Sequence, residues 1–239
     1  GDGNDIIYAG ENGGRLYGDG GDDILNGGAS SDYFYGGLGS DIFNGNDGDD
    51  YLEEQNAGDN ILNGGKGNDY LSVSFNDSLS TNILNGGEGD DTLITRNSSS
   101  TNILDGGQGN DTLTGGDSKD TYVFGQGYGM DLLTDSPLYD YGSGNFSGEE
   151  NTIKLLNGVD ESDILLSRTG ANLLLFIKGT ADQLTINNYF KVDYSGLGYE
   201  ISNKNFNIQF ADGTTWDKNH ILYILNLNYL NGTDSSDTL

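Results

Sequence analysis

Nine aspartates recur in one local setting. Asp5, Asp23, Asp32, Asp41, Asp50, Asp69, Asp91, Asp111 and Asp131 each follow a glycine-rich stretch and stand two residues before a large apolar side chain. Glycine tolerates positive φ, so such a stretch can turn its main-chain carbonyls toward a neighbouring carboxylate. Carboxylates and carbonyls are hard oxygen donors of the kind that calcium takes in sets of six to eight. Magnesium demands tighter octahedral geometry and retained water, and fits such turns less well.

Those elements repeat every nine residues. The unit is cleanest at Gly64–Ser72, Gly86–Ile94 and Gly106–Thr114, where it reads G-G-x-G-x-D-x-U-x with U large and apolar. This nonapeptide resembles the RTX (repeats-in-toxin) haemolysin-type calcium-binding repeat, which implies an all-β chain wound as a parallel β-roll, or β-helix. In that arrangement six residues form a turn and three a short strand with one inward side chain. Two units close a coil, and stacked coils bury the U residues between two parallel sheets. The resemblance further implies Ca²⁺ between successive turns on the same side. The ligands it carries over are Gly1, Gly3 and Asp5; Gly18, Gly20, Gly21 and Asp23; Gly27, Gly28, Ala29, Ser30 and Asp32; and Gly36, Leu38 and Asp41. They continue with Gly45, Asn46, Asp47, Gly48 and Asp50; Gly64, Gly65, Lys66, Gly67 and Asp69; Gly86, Gly87, Glu88, Gly89 and Asp91; Gly106, Gly107, Gln108, Gly109 and Asp111; and Asp131.

Counting the register gives fourteen units, with inward residues from Ile7 in unit 1 to Leu133 in unit 14. Alternate units fall on the same edge. Even turns from 4 to 14 keep the aspartate, whereas turns 7, 9 and 11 carry Asn60, Asn82 and Asn102, and turn 2 carries Gly14. The asparagine turns also hold the insertions, including Val73–Thr81 and Thr95–Thr101, which are expected to project from that edge. A neutral amide oxygen is the weaker ligand for a hard cation. One edge is therefore expected to hold ions almost throughout and the other only near its start, giving about seven ions. They fall between turns 1/3, 3/5, 4/6, 6/8, 8/10, 10/12 and 12/14. Asp120, beside Asn102, has a poor partner.

Composition agrees with cation binding. The 239 residues carry 38 Asp plus Glu against 10 Lys plus Arg, a net charge of −28, which argues against nucleic acid and anionic membranes as partners. There are 40 glycines, one proline and no cysteine, so metal rather than disulfide would supply the staple. Without metal the carboxylates repel, the glycines carry a large entropy cost, and a disordered chain that folds on calcium is expected. No apolar run approaches the length of a membrane span. The chain opens in mid-repeat, as a fragment of a longer protein would.

Periodicity divides the chain into a roll over 1–135, an acidic linker or cap over 136–150, a β-rich flanking region over 151–230, and over 231–239 the opening of another repeat block. From Asn151 apolar and polar residues alternate, as in antiparallel strands. Candidate strands are Thr152–Leu156, Ile164–Ser167, Leu173–Ile177, Gln183–Ile186, Phe206–Phe210 and Thr214–Trp216. A turn at Ala211-Asp212-Gly213 and a short helix containing His220 to Leu227, capped by Asp217, complete the set. The stretches DILLSR, LLLFIKGTADQLTINNYF and FADGTTWD resemble the haemolysin-type calcium-binding related domain, which implies a structural cap at the open end of the roll.

No catalytic constellation is expected in the segment. Its single His220 and lack of cysteine exclude zinc-protease and Cys/His arrangements. Paired carboxylates such as Asp90-Asp91 invite a glycosidase reading, but the repeat register explains them. Pro137 follows Ser136, so the Asp-Pro bond of self-cleaving RTX modules is absent. Outward tyrosines such as Tyr33 and Tyr35 leave a carbohydrate or host-cell surface open as a partner. The resemblance implies a secreted exoprotein exported by type I machinery and most often a cytotoxin. The alternatives are a rigid adhesin extender or the non-catalytic module of an epimerase, lipase or protease.

Overall fold

The computed structural model of the chain describes residues 1–74, 80–95, 100–116, 119–135, 150–192, 199–201 and 205–225. The expected linker over 136–150, apart from Glu150, and the repeat opening over 231–239 lie outside them. So do the centres of the two insertions, 75–79 and 96–99.

The nonapeptides fold into fourteen short strands, one per unit: β1 (Ile6–Tyr8), β2 (Arg15–Gly20), β3 (Ile24–Asn26), β4 (Tyr33–Leu38), β5 (Ile42–Asp47), β6 (Tyr51–Glu54), β7 (Ile61–Lys66), β8 (Tyr70–Val73), β9 (Thr81–Glu88), β10 (Thr92–Thr95), β11 (Thr101–Gln108), β12 (Thr112–Gly115), β13 (Thr121–Phe124) and β14 (Met130–Asp135). Odd strands stack in parallel as one sheet and even strands as the other. The pairing keeps the nonapeptide in register: Leu52 lies opposite Leu71, Leu71 opposite Leu93, and Leu93 opposite Leu113. Side chains alternate across a strand, so each unit sends its U residue inward. Leu25, Phe34, Phe43, Leu52, Leu62, Leu71, Leu84, Leu93, Leu104, Leu113, Tyr122 and Leu133 are fully buried between the sheets.

The flanking region extends both sheets. It contributes β15 (Glu150–Leu155), β16 (Ile164–Thr169), β17 (Asn172–Ile177), β18 (Gln183–Ile186), β19 (Phe190–Val192), β20 (Tyr199–Ile201), β21 (Asn205–Gln209), β22 (Thr215–Trp216) and helix α1 (Lys218–Ile224). The antiparallel expectation holds for β16/β17/β18, β21/β22 and β19/β20. It does not hold where this region meets the roll, because β15 and β21 add in parallel beyond β13, and β18 adds in parallel to β14. A period of two reveals a half-buried strand but not the direction of its neighbour, and the roll's last coil offers two open parallel edges. Asp182 fastens the join, its carboxylate accepting N–H bonds from Gly127 (3.0 Å) and Gly129 (2.8 Å). Asp217 caps α1 by accepting from the His220 N–H at 2.8 Å, and the helix begins at Lys218, as that cap requires. Among the described residues no helix is long and apolar enough to cross a membrane.

Candidate metal centres along the two edges

Turns 3, 5, 6, 8, 10 and 12 share one main-chain plan. The second residue takes positive φ, which Gly37, Gly65, Gly87 and Gly107 adopt freely and Asp19 and Asn46 adopt as tolerant exceptions. The sixth residue, the aspartate, uses Oδ1 to accept the backbone N–H of the sixth residue one coil earlier. On the even edge Asp32, Asp50, Asp69, Asp91 and Asp111 donate in this way to Asp50, Asp69, Asp91, Asp111 and Asp131, at 2.7 to 2.9 Å. The fifth residue runs an exposed ladder in the opposite sense: the Asn68 N–H goes to Asp49, Asp90 to Asn68, and Asn110 to Asp90. That explains the Asn and Asp at a position the nonapeptide pattern leaves free.

With Oδ1 engaged, Oδ2 is left over. The buried Oδ2 atoms of Asp23, Asp41, Asp50, Asp69, Asp91, Asp111 and Asp131 have no hydrogen-bond partner, and neither has Glu54 Oε2. A buried carboxylate oxygen with no donor is costly unless a cation meets it. The space for that cation lies over the first glycine of each turn. A side chain begun at Gly64 would run into Asp69 Oδ2 and the Gly86 carbonyl; at Gly45, into Asp50 Oδ2 and the Gly64 carbonyl; at Gly86, into Asp91 Oδ2 and the Gly106 carbonyl. On the odd edge Gly18 faces Asp23 Oδ2 and the Gly36 carbonyl in the same way. Each hole thus gathers a carboxylate oxygen and a main-chain oxygen from the next turn, a donor set suited to Ca²⁺. Among the described residues no three acidic or imidazole side chains converge on one point, so main-chain oxygens must complete any shell.

The electrostatics match. Burial pushes the carboxyl of Asp50 up to about 7, Asp69 and Asp111 to about 6, and Asp91 and Asp131 to about 8; N–H donors oppose the shift and neighbouring carboxylates mostly reinforce it. Removing a water shell from a carboxylate disfavours its charged form, and a bound divalent ion reverses that.

Not every expected ligand sits in this way. Asp32 spends Oδ2 on the Gly28 N–H at 2.8 Å. Asp131 keeps a free oxygen, but the buried Phe124 replaces the first glycine of its turn. Leu38, Lys66, Glu88 and Gln108 use their carbonyls to accept the N–H of Gly21, Gly48, Gly67 and Gly89, and Leu38, Lys66 and Glu88 project into solvent. Asp120 has both oxygens engaged, by Asn102 at 2.8 Å and the Gly116 N–H at 3.0 Å.

The asparagine turns contain something different. Asn60 Nδ2 donates to Asn82 Oδ1 (3.2 Å), Asn82 to Asn102 (3.1 Å), and Asn102 to Asp120. The Asp120 N–H bonds Asn151, whose Nδ2 reaches Asp135 at 2.9 Å. This buried amide chain leaves no orphaned oxygen on Asn60, Asn82 or Asn102. The first residue of these turns is no longer glycine, since strand register places Glu54, Val73 and Thr95 above Gly36. All three are buried. Val73 and Thr95 were expected at the roots of projecting loops; they are strand residues inside the roll, and β-branched side chains suit that position. Glu54 was missed altogether, and its departure from glycine in an otherwise regular turn was the available signal.

Comparison with known proteins agrees with this geometry. The RTX calcium-binding nonapeptide repeat matches in four copies, over residues 17–52, 56–79, 78–98 and 96–130. The haemolysin-type calcium binding protein related domain matches residues 172–220. No curated protein matches the chain. Among solved structures, the crystal structure of the extracellular lipase LipA from Serratia marcescens is similar at 18% identity and a TM-score of 0.33, over 77% of this chain and 39% of the lipase. The chain thus spans well under half of that relative's length.

Proposed function

We propose, on the premise that this chain belongs to the RTX calcium-binding nonapeptide-repeat family, that it is a segment of a secreted exoprotein whose roll folds only when extracellular calcium fills its turns. The observation that carries this is the column of buried, donorless carboxylate oxygens over side-chain-free glycines. An ion in each hole supplies the charge that the turn lacks, and the main-chain oxygens of two coils are held together by it. Binding confined to the folded state makes ion concentration the folding switch. Extracellular calcium modules bind at about 10⁻⁴–10⁻³ M, so the chain would stay unfolded in the cytosol and fold after type I export.

About seven ions are proposed for the chain. The segment itself is proposed to be non-catalytic: its one histidine, His220, stacks on Trp216 at 5.1 Å on a structural helix. A toxin parent is the reading that family membership favours. Far-ultraviolet circular dichroism with calcium and with EGTA tests the folding role. Strand signal that appears on adding calcium in the millimolar range is expected, and an unchanged spectrum would refute it.

A further inference from the structure

Turn 7 breaks the nonapeptide twice. Its sixth residue is Asn60 instead of aspartate, and its first is Glu54 instead of glycine. Asn60 has no oxygen to spare for an ion, because Oδ1 accepts the Asp41 N–H at 2.8 Å, while Nδ2 donates to Gly58 and Asn82. Glu54 is different. It is fully buried at the end of β6, its Oε1 accepts the Asn56 N–H at 2.7 Å, and its Oε2 has no partner. A side chain begun at Gly36 would meet both Asp41 Oδ2 and Glu54 Oε2. Over Gly18 the corresponding pair is Asp23 Oδ2 and the Gly36 carbonyl. Glu54 therefore puts a carboxylate oxygen where an ordinary turn puts a main-chain carbonyl; Asp41 is equally buried, its Oδ1 takes the Asp23 N–H at 2.8 Å, and its Oδ2 has no donor.

We infer that Asp41 and Glu54 form a further calcium site over Gly36, between turns 5 and 7, which ends the metal column of the odd edge. This inference rests on the calcium-binding reading of the roll and goes beyond the seven sites derived from the repeat pattern. The acid removed from position six at Asn60 is restored at position one by Glu54, so the site keeps its charge while Asn60 starts the amide chain. Beyond it Val73 fills the equivalent hole and no ion enters. Calcium affinity rises with the charge of the ligand set, and two facing carboxylates make this site tighter than those with one carboxylate and one carbonyl.

Calcium titration calorimetry of the whole chain, with Glu54→Gln and Glu54→Val beside it, tests the site. The expected result is one bound calcium fewer in Glu54→Val. In Glu54→Gln one site should weaken by at least about tenfold, the other sites being retained. Variants that match the parent chain in stoichiometry and affinity overturn this site alone. A parent chain that binds no calcium overturns it together with the reading of the whole roll. If either variant fails to fold in calcium, anomalous scattering from crystals of the parent chain decides. A calcium peak bridging Asp41 and Glu54 supports the site, and peaks at Asp50, Asp69 and Asp91 with none there refute it.

Discussion

The two edges of the roll solve one problem with opposite chemistry. Both must satisfy a buried polar side chain at the sixth residue of each turn from turn 3 onward. The even edge uses aspartate, satisfies one oxygen with a neighbour's N–H, and leaves the other aimed at a glycine hole. The odd edge, in turns 7, 9 and 11, uses asparagine, which can donate as well as accept. Each amide then satisfies the next, and the hole is filled by Val73 or Thr95. A carboxylate column needs an external cation, whereas an amide column is complete as covalent chain. The difference comes from one functional group per turn together with the size of the residue that opens the turn.

Three experiments would sharpen or break that contrast. The largest effect is expected from placing the same side chain on each edge. Gly86→Val puts methyl groups against Asp91 and the Gly106 carbonyl, fills an ion hole, and should cost on the order of 4 kcal/mol in calcium. Thr95→Val on the odd edge keeps the β-branched shape, gives up the hydroxyl's 3.4 Å bond to the Thr114 carbonyl, and should cost about 1 kcal/mol. Urea unfolding in calcium measures both, and equal costs would abolish the distinction between the edges. Next is Asn82→Asp, which puts a charge into the amide chain where no hole remains. It should destabilise by about 3 kcal/mol at pH 8 without adding a bound ion. A gain of both calcium and stability would show that the odd edge can be loaded after all.

The smallest effect is on pH. Carboxyls whose folded pKa is raised hold their protons more tightly in the roll than in the unfolded chain. Their penalty is absent below the unfolded value near 4, grows as pH rises, and is complete above the folded values. These are about 6 for Asp69 and Asp111, about 7 for Asp50, and about 8 for Asp91 and Asp131. In EGTA, lowering the pH from 8 to 5.5 should restore part of the strand signal, and in calcium the same change should not add to it. Circular dichroism at both values checks this.

Much of this arrangement was legible in the sequence. A nine-residue period fixes which residues face inward, and all fourteen apolar positions from Ile7 to Leu133 lie on the strands the register assigns. The split between Asp and Asn turns is equally visible, because alternate units share an edge. What the period could not show is how an exception is accommodated. Val73 and Thr95 read as loop roots and Glu54 went unread; only the stacking of β4, β6, β8 and β10 reveals that they succeed one another at a single buried position. Alternation in the flanking region located most of its strands but not their direction, nor the pair β19/β20, whose short segments flank a stretch of weak pattern.

The reversals at the end of the two sheets have a consequence of another kind. A parallel coil offers at its far side the same pair of edges that it received, so in polymer terms each coil is a growing end, competent to accept another coil or another molecule's. Here β17 and β16 turn back after β18, and the two-residue β22 turns back after β21. One sheet then ends on β22, which runs against the stack, and in the other the reversed β17 separates the outermost β16 from the parallel ladder, so neither sheet presents the paired parallel edges of a coil. The flanking region acts as a chain terminator, and a roll finished this way can be long without becoming a fibre.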